Sequence, residues 1–406
     1  MSVVAPFSAP LKTHYDVVIV GGAKIGSSVA WFLSNNADFD GSILVVEKDP
    51  TYAFASTSHT NSCMRQQFST EINIRVSQFA AEFVNNFQDY FLNDPRVPTI
   101  NLQSFGYMTL ADNAASANAL RRAQALQASC GAGTKTMTPE EIKRDYPFYF
   151  LDDIVAANHN LINEGYYDGN TVFDWWKRSA REKGAEYIAN QVVAMTKNAD
   201  GSNVVNVSLA SGEQIGCAKV VNASGPSAAV TSRMAGIDIP VEPRKRYSYI
   251  FAAEQPLDRD LPLTIDPSGV HVRSEGQYYL AGCPPDHDPA VGVDDFIEDH
   301  SLWQDKVWPA VAKRIPQFEA VKLINSWVGH YAFNTLDQNA ILGAHDQVEN
   351  FIFVNGFSGH GFQQAPAMGR GVAELITYGE YRTLDLTPFG YQRVADHKPF
   401  TEHAVI

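Results

Sequence analysis

The chain has 406 residues, 45% of them hydrophobic, and a formal net charge of −14. That length and composition make about two to three globular units rather than a disordered chain. The negative balance disfavours nucleic acid or an anionic membrane surface as a partner.

Four scattered cysteines, Cys63, Cys130, Cys217 and Cys283, form no Cys-x-x-Cys pair. Their spacing disfavours a metal site or a disulfide framework and suits a reducing compartment. Residues 1–14 hold no apolar core long enough for a signal peptide. No run reaches the roughly 20 clean apolar residues of a membrane-spanning helix. A soluble, cytoplasmic protein without a membrane span is expected, with its oligomeric state open.

The first predicted element is a buried parallel strand at 16–20, Asp-Val-Val-Ile-Val, running into Gly21-Gly22-Ala23-Lys24-Ile25-Gly26. A helix is predicted at 27–35 and a second buried strand at 42–46, closed by Glu47. Residues 55–67 are polar and read as a loop. Apolar residues recur with helical period from 71 to 91, at Ile72, Val76, Phe79, Ala80, Phe83, Phe87 and Tyr90. Thr138-Pro139-Glu140-Glu141 has the form of a capping box with proline at the first helical position, and that helix must stop before Pro147.

A helix at 171–183 should end at Gly184. Residues 190–197 and 204–209 alternate around Asp200-Gly201 and read as a hairpin. Residues 219–225 form another apolar strand ending in glycine. Segments 247–252, 269–272 and 277–281 read as strands of an antiparallel sheet, and 294–314 as a charged helical region. Near the end, Phe351-Ile352-Phe353-Val354 leads into Gly356-Phe357-Ser358-Gly359-His360-Gly361-Phe362-Gln363-Gln364-Ala365-Pro366 and a helical pattern at 368–376.

The α/β pieces lie at the start, middle and end, with antiparallel pieces between them. The expected fold is α/β: a Rossmann-like dinucleotide-binding domain of the glutathione-reductase type, interleaved with an antiparallel-sheet α+β substrate domain. The first domain takes residues 1–95, 166–240 and 326–406. The second takes 96–165 and 241–325.

Strand, glycine turn and helix together aim backbone N–H groups and a helix's positive end at an anion or an electron-rich ring. The first turn departs from Gly-x-Gly-x-x-Gly, because Ala23 stands at the middle glycine. Glu47, however, follows Gly26 by about 20 residues, as a ribose-binding acid should. NAD and FAD both use such a turn. The second turn favours FAD, since N–H groups from Gly359 to Gln363 suit negative charge on a reduced flavin.

Residues 16–26, Glu47, Ser56-Thr57-Ser58, Val220-Val221-Asn222-Ala223-Ser224-Gly225, Trp327-Val328-Gly329, Thr335-Leu336-Asp337-Gln338-Asn339 and 356–366 together resemble the D-amino-acid-oxidase family of flavoproteins. The sarcosine and glycine oxidases are the nearer branch. Gln66-Gln67-Phe68-Ser69, residues 241–247, Gln304-Asp305-Lys306-Val307-Trp308-Pro309 and 357–366 are closer still to a branch of FAD-dependent oxidoreductase-domain proteins that assist respiratory complex I assembly.

The resemblance implies noncovalent FAD and oxidation of a small amino acid or secondary amine. Hydride leaves the α-carbon, and oxygen or another acceptor takes the electrons. The alternative it leaves open is a flavin-containing assembly or scaffold protein.

Residue by residue, the resemblance assigns the cofactor to Gly21, Gly22, Ala23, Ile25, Gly26, Glu47, Lys48, Ser56, Thr57, Ser58, His59, Met64, Val192, Val193, Ala223, Ser224, Gly225, Gly329, Gly356, Ser358, Gly359, His360, Gly361, Phe362 and Gln363. It assigns the reaction to Arg65, Tyr331, Tyr247 and Arg246, with Arg65 binding a carboxylate, and implies no metal. Gln363 stands where relatives carry a second, lysine clamp. That departure argues against a monomeric-sarcosine-oxidase type of site and against ready oxygen reactivity. Gly329 stands where some relatives attach flavin through cysteine, and His59 lies where others use histidine. The basic run Arg244-Lys245-Arg246 reads as a substrate-facing cation, a contact surface or a solvated strand edge. His360 reads as a cradle residue and His271 as an ordinary strand residue.

Overall fold

The computed structural model describes residues 6–404 and builds them on two eight-stranded sheets plus a two-stranded one. At the centre of the first sheet is His14–Val20. It runs parallel to Ile43–Glu47 on one side and to Gln214–Asn222 on the other. Glu186–Ala189 extends one flank in parallel and Phe351–Asn355 the other, with antiparallel Ile341–Ala344 at the edge. The expected hairpin forms from Val192–Lys197 and Val204–Leu209 and is continued by Gln214–Asn222.

The central strands are apolar throughout because both faces are covered. Val17, Ile19, Ile43 and Val45 pack on the helices, while Val18, Val20, Leu44 and Val46 pack on the hairpin side. Tyr15 carries a hydroxyl–carboxylate contact to Glu186, and burial pushes its phenol up to about 12.

The second sheet runs in the order Val321–Asn334, Val241–Ala253, Tyr278–Cys283, His271–Glu275, Leu263–Ile265, Tyr107–Ala111, Ala156–Asn160 and Lys135–Met137. All its pairings are antiparallel except Leu263–Ile265 with Tyr107–Ala111. The strand Val321–Asn334 runs through the expected domain boundary at 325/326. Its outer half carries exposed Leu323 and Ile324, while its inner half is buried and faces the first domain.

Several elements differ from expectation for identifiable reasons. The first helix is Lys24–Ser34, so Gly26 lies inside its first turn rather than before it. The long helical pattern divides into Glu71–Asn85 and Phe87–Tyr90 at Asn86, whose side chain bonds back to the Glu82 carbonyl at 3.0 Å. Of the charged region 294–314, only 301–314 is helical. Residues 294–300 are drawn away by partners elsewhere, among them Lys245 to Asp295 at 2.7 Å and Ser326 to Glu298 at 2.6 Å. The Thr138 capping box forms with both reciprocal bonds, and its helix ends at Asp145. All four cysteines are free.

Candidate functional site

The first glycine turn is set by backbone crowding. Gly21 has φ +97°, and a Cβ there would lie 2.6 Å from the Ala223 carbonyl oxygen. At Gly26 a Cβ would lie 1.9 Å from the Gly21 carbonyl oxygen. Glu47, at the end of its strand, accepts the Gly22 N–H and the Asp49 N–H, each at 2.8 Å. Burial raises its carboxyl. Ala23 caps the helix with no side-chain bond, and the Lys24 N–H goes to Thr57 Oγ1 at 3.2 Å.

The second turn repeats the device. Gly356 and Gly359 have φ +70° and +98°, and Ser358 has +49°. A Cβ at Gly359 would lie 2.4 Å from the Tyr331 ring. Ser358 is fixed by its N–H to the Ala332 carbonyl and by its Oγ, which accepts the Asn334 N–H.

The helix is Gly361–Tyr378 and contains Pro366. Proline has no N–H to offer the carbonyl four residues back. That carbonyl, Phe362 O, instead accepts the Tyr167 hydroxyl at 3.0 Å. Ser28 Oγ donates to the Ala365 carbonyl at 2.7 Å, and a Cβ at Gly369 would lie 2.0 Å from Ser28 Oγ. The two turn-bearing helices therefore lie against each other, and the Lys24 ammonium sits 3.3 Å over the Phe362 ring.

Both turns open on one cavity between the sheets. Ile25, Ser56, Thr57, His59, Arg65, Gly225, Arg246, Tyr247, Gly329, Tyr331, Gly359, His360, Gly361, Phe362 and Gln363 all line it. A Cβ at Gly329 would lie 2.7 Å from His59 Cβ, so glycine there admits the 56–65 loop. The Ser56 hydroxyl ties that loop to the His330 carbonyl at 2.6 Å.

The other expected positions lie outside the lining. Gly21, Gly22, Ala23, Gly26 and Glu47 lie at the first turn and the end of the adjoining strand. Ala223 and Ser224 lie beside that turn, and Gly356 and Ser358 shape the second turn. Met64 is buried in the core, Ser58 turns back to the Tyr52 carbonyl, and Lys48 is half exposed against Asp294 at 3.8 Å. Val192 packs in the hairpin-side core, and Val193 is exposed.

The charges could not be sorted from sequence. The strand carrying Arg244, Lys245 and Arg246 is interior to its sheet, so the run is no solvated edge. Arg246 grips Asp288 through two bonds of 2.9 and 3.0 Å, and Lys245 bonds Asp295. Arg65 is buried, with its backbone N–H on Gln363 Oε1 at 2.7 Å. Its Nη2 donates to the Ala404 carbonyl and lies 3.1 Å from His360 Nε2, which is itself 3.2 Å from that carbonyl. No Asp or Glu lines the cavity among the described residues.

The imidazoles are held neutral. Burial pushes His271 down to about 4 and His360 down to about 3, and it lowers His59 and His330. Asn61 Nδ2 donates to His271 Nε2 at 2.9 Å, since Asn61 Oδ1 takes the Ser248 hydroxyl. The His271 proton therefore resides on Nδ1, which is buried without a partner.

Sequence reasoning passed over Lys24 and Tyr167. Lys24 is 1% exposed and bonds the Tyr167 hydroxyl and the Gly169 carbonyl. Burial lowers its ammonium well below the usual lysine range. A lysine inside an apolar run was a readable signal; Tyr167 carried none. His271, read as a strand residue, stands on the cavity wall.

Two crowded glycine turns, an acid after the second strand and a cation-rich cavity joining them fit FAD and define a flavin-dependent oxidoreductase. Residues 16–375 match the FAD dependent oxidoreductase (DAO) family, and the chain belongs to that D-amino-acid-oxidase family. It is 35% identical to FAD-dependent oxidoreductase domain-containing protein 1 of Xenopus laevis, over 96% of this chain and 85% of that one. It is 22% identical to the mitochondrial sarcosine dehydrogenase of Mus musculus, over 98% of this chain and 43% of that one. Among solved structures, L-proline dehydrogenase from P. horikoshii superposes with a TM-score of 0.83 at 25% identity, covering 96% of this chain and all of that one. Glycine oxidase from Geobacillus kaustophilus shares the fold, with a TM-score of 0.78 at 20% identity over 93% and 98% of the two chains.

Proposed function

We propose that this enzyme oxidises a small amino acid or N-substituted glycine at the carbon beside its nitrogen. One observation carries the proposal: among the described residues, the cavity shared by both glycine turns is lined by guanidinium groups and neutral imidazoles and by no carboxylate. Such a wall attracts a carboxylate and offers an ammonium no counter-charge. The substrate's nitrogen is thereby favoured in its neutral form, whose lone pair assists hydride departure.

Gly329 has no side chain through which flavin could be attached, and FAD, held noncovalently in this reading by the two glycine turns, would supply the hydride acceptor for the α-carbon, with the imine product left to hydrolysis by water. Arg65 holds the substrate carboxylate, Tyr331 and Tyr247 wall the reacting end, and His271 keeps its proton on Nδ1. Anaerobic mixing with a panel of N-methyl, N-carboxymethyl, cyclic and D-amino acids should bleach the flavin with at least one member. A flavin that stays oxidised throughout the panel defeats the proposal. Arg65→Ala should raise KM for the active substrate by the equivalent of about 1.5–3 kcal/mol of lost charged hydrogen bonding. An unchanged KM removes Arg65 from the site.

A second reading, a flavin-containing scaffold with vestigial turnover, is favoured by the spent Arg246–Asp288 pair and the neutral Gln363. Stoichiometric capture of respiratory-complex subunits together with an unreduced flavin would select it.

A further inference from the structure

The last described residues reach back into the site. Asp337, fully buried and paired with Arg393, accepts the Phe400 N–H, and Asn339 Nδ2 donates to the Phe400 carbonyl. Two residues on, Glu402 is wholly buried. Its Oε1 accepts the Ser69 N–H at 2.8 Å, the Ser69 hydroxyl and the Ala404 N–H at 2.9 Å. Its Oε2 accepts the Thr70 hydroxyl at 2.8 Å and Asn73 Nδ2 at 2.9 Å.

Burial alone would raise this carboxyl, but the bonds from Ser69 and Ala404 outweigh it and lower it. An ionised carboxylate with five donors is a fixed anchor, and it sets the next turn of chain. The Ala404 carbonyl then meets Arg65 Nη2.

We infer that segment 400–404, anchored by Glu402, is a working part of the substrate site and positions the Arg65 guanidinium for a carboxylate. This rests on the carboxylate reading given above. Arg65 Nη2 meets the Ala404 carbonyl, and His360 Nε2 lies 3.1 Å from that nitrogen and 3.2 Å from the same carbonyl, so the three groups close a triangle around one end of the guanidinium. The Phe68 ring packs 4.9 Å from the guanidinium carbon, so the plane is held from its side as well. Nε and Nη1 have no hydrogen-bond partner among the described residues and are not sealed in, so the charge is presented through them. An arginine has several rotatable bonds and loses rotamer entropy on binding an anion. Pinning one nitrogen in advance removes much of that cost. Ser69 and Phe68 form the dock for the tail. Glu402 and the Ala404 carbonyl act through Arg65 and are positioning groups.

The test uses the flavin-loaded protein and two changes. A stop codon in place of His403 removes residues 403–406, and with them the Ala404 N–H, but leaves Glu402 its other four donors; Glu402→Gln keeps every residue and weakens the anchor. Acetate binding is measured by calorimetry, with acetamide as its uncharged control, beside Arg65→Gln. Loosening a preset cation should weaken acetate binding about tenfold in both tail variants, by the scale of misplaced positioning groups. Acetamide should be unaffected, and the flavin absorbance should stay near that of the parent. If Arg65→Gln weakens acetate binding but the tail variants do not, the tail is merely structural and the inference is overturned. Tighter acetate binding on truncation also overturns it, because the carbonyl would then be a competitor. If Arg65→Gln itself has no effect, the carboxylate reading falls and the tail's role falls with it. Should the truncated protein fail to fold, Glu402→Gln alone decides by the same criteria.

Discussion

The two glycine turns use one backbone device for different ends. At the first, the crowding atoms are local or belong to the neighbouring strand: Gly26 presses on Gly21, and Gly21 on Ala223. At the second, they come from the second sheet, with Gly359 pressing on the ring of Tyr331 in the strand Val321–Asn334. The first turn is thus self-contained. The second is a joint, whose shape depends on the substrate sheet being in place. Each uses glycine because a backbone or ring approaches closer than any Cβ allows.

Substitutions can break or sharpen that contrast. Gly26→Ala puts a methyl on a backbone carbonyl that cannot move. It should cost about 3–5 kcal/mol of stability in urea unfolding, with no second-site relief. Gly359→Ala meets a side chain, and its positive φ adds strain. It should cost about 2–3 kcal/mol and lower flavin retention in purified protein. Adding Tyr331→Ala should recover part of that loss; absence of any recovery would make the second turn as local as the first.

Tyr167→Phe leaves the proline-freed Phe362 carbonyl and Lys24 short of a partner. It should cost about 1–2 kcal/mol in thermal unfolding. The smallest effect concerns His271, whose folded value of about 4 lies below the ordinary 6.5. A depressed histidine means that the folded state prefers the neutral ring. The stability this contributes is present above pH 6.5 and is lost as pH falls toward 4. His271→Asn should flatten that loss by about 1 kcal/mol at pH 5.5 in denaturant midpoints. Parallel curves for parent and variant would remove His271 from the acid response.

Much of the fold was legible because its elements carry strong local signals. Residues 16–20 and 351–354 are unbroken apolar runs ending in glycine, and Thr138 to Glu141 spells out its cap. The helix Ala114–Ser129 gave little to read, since only Ala117 and Gln127 are buried and the rest meets solvent. The strand Ala156–Asn160 is wholly buried yet contains Asn158, His159 and Asn160, polar residues whose partners are supplied from elsewhere. The helix pattern at 294–300 lost to ion pairs that no periodicity reveals.

Sequence alone determined the two glycine turns, the acid that closes the second strand and the glycine at 329. These depend on backbone sterics and short-range spacing, which residue identity specifies directly. Only the tertiary structure decided which charges remain available. Arg246 is spent on Asp288, Lys24 is shut between Tyr167 and Phe362, and Arg65 is set by a carbonyl near the opposite end of the chain. An ion's strength depends on its neighbours and its access to water, and folding brings those neighbours together from distant parts of the chain.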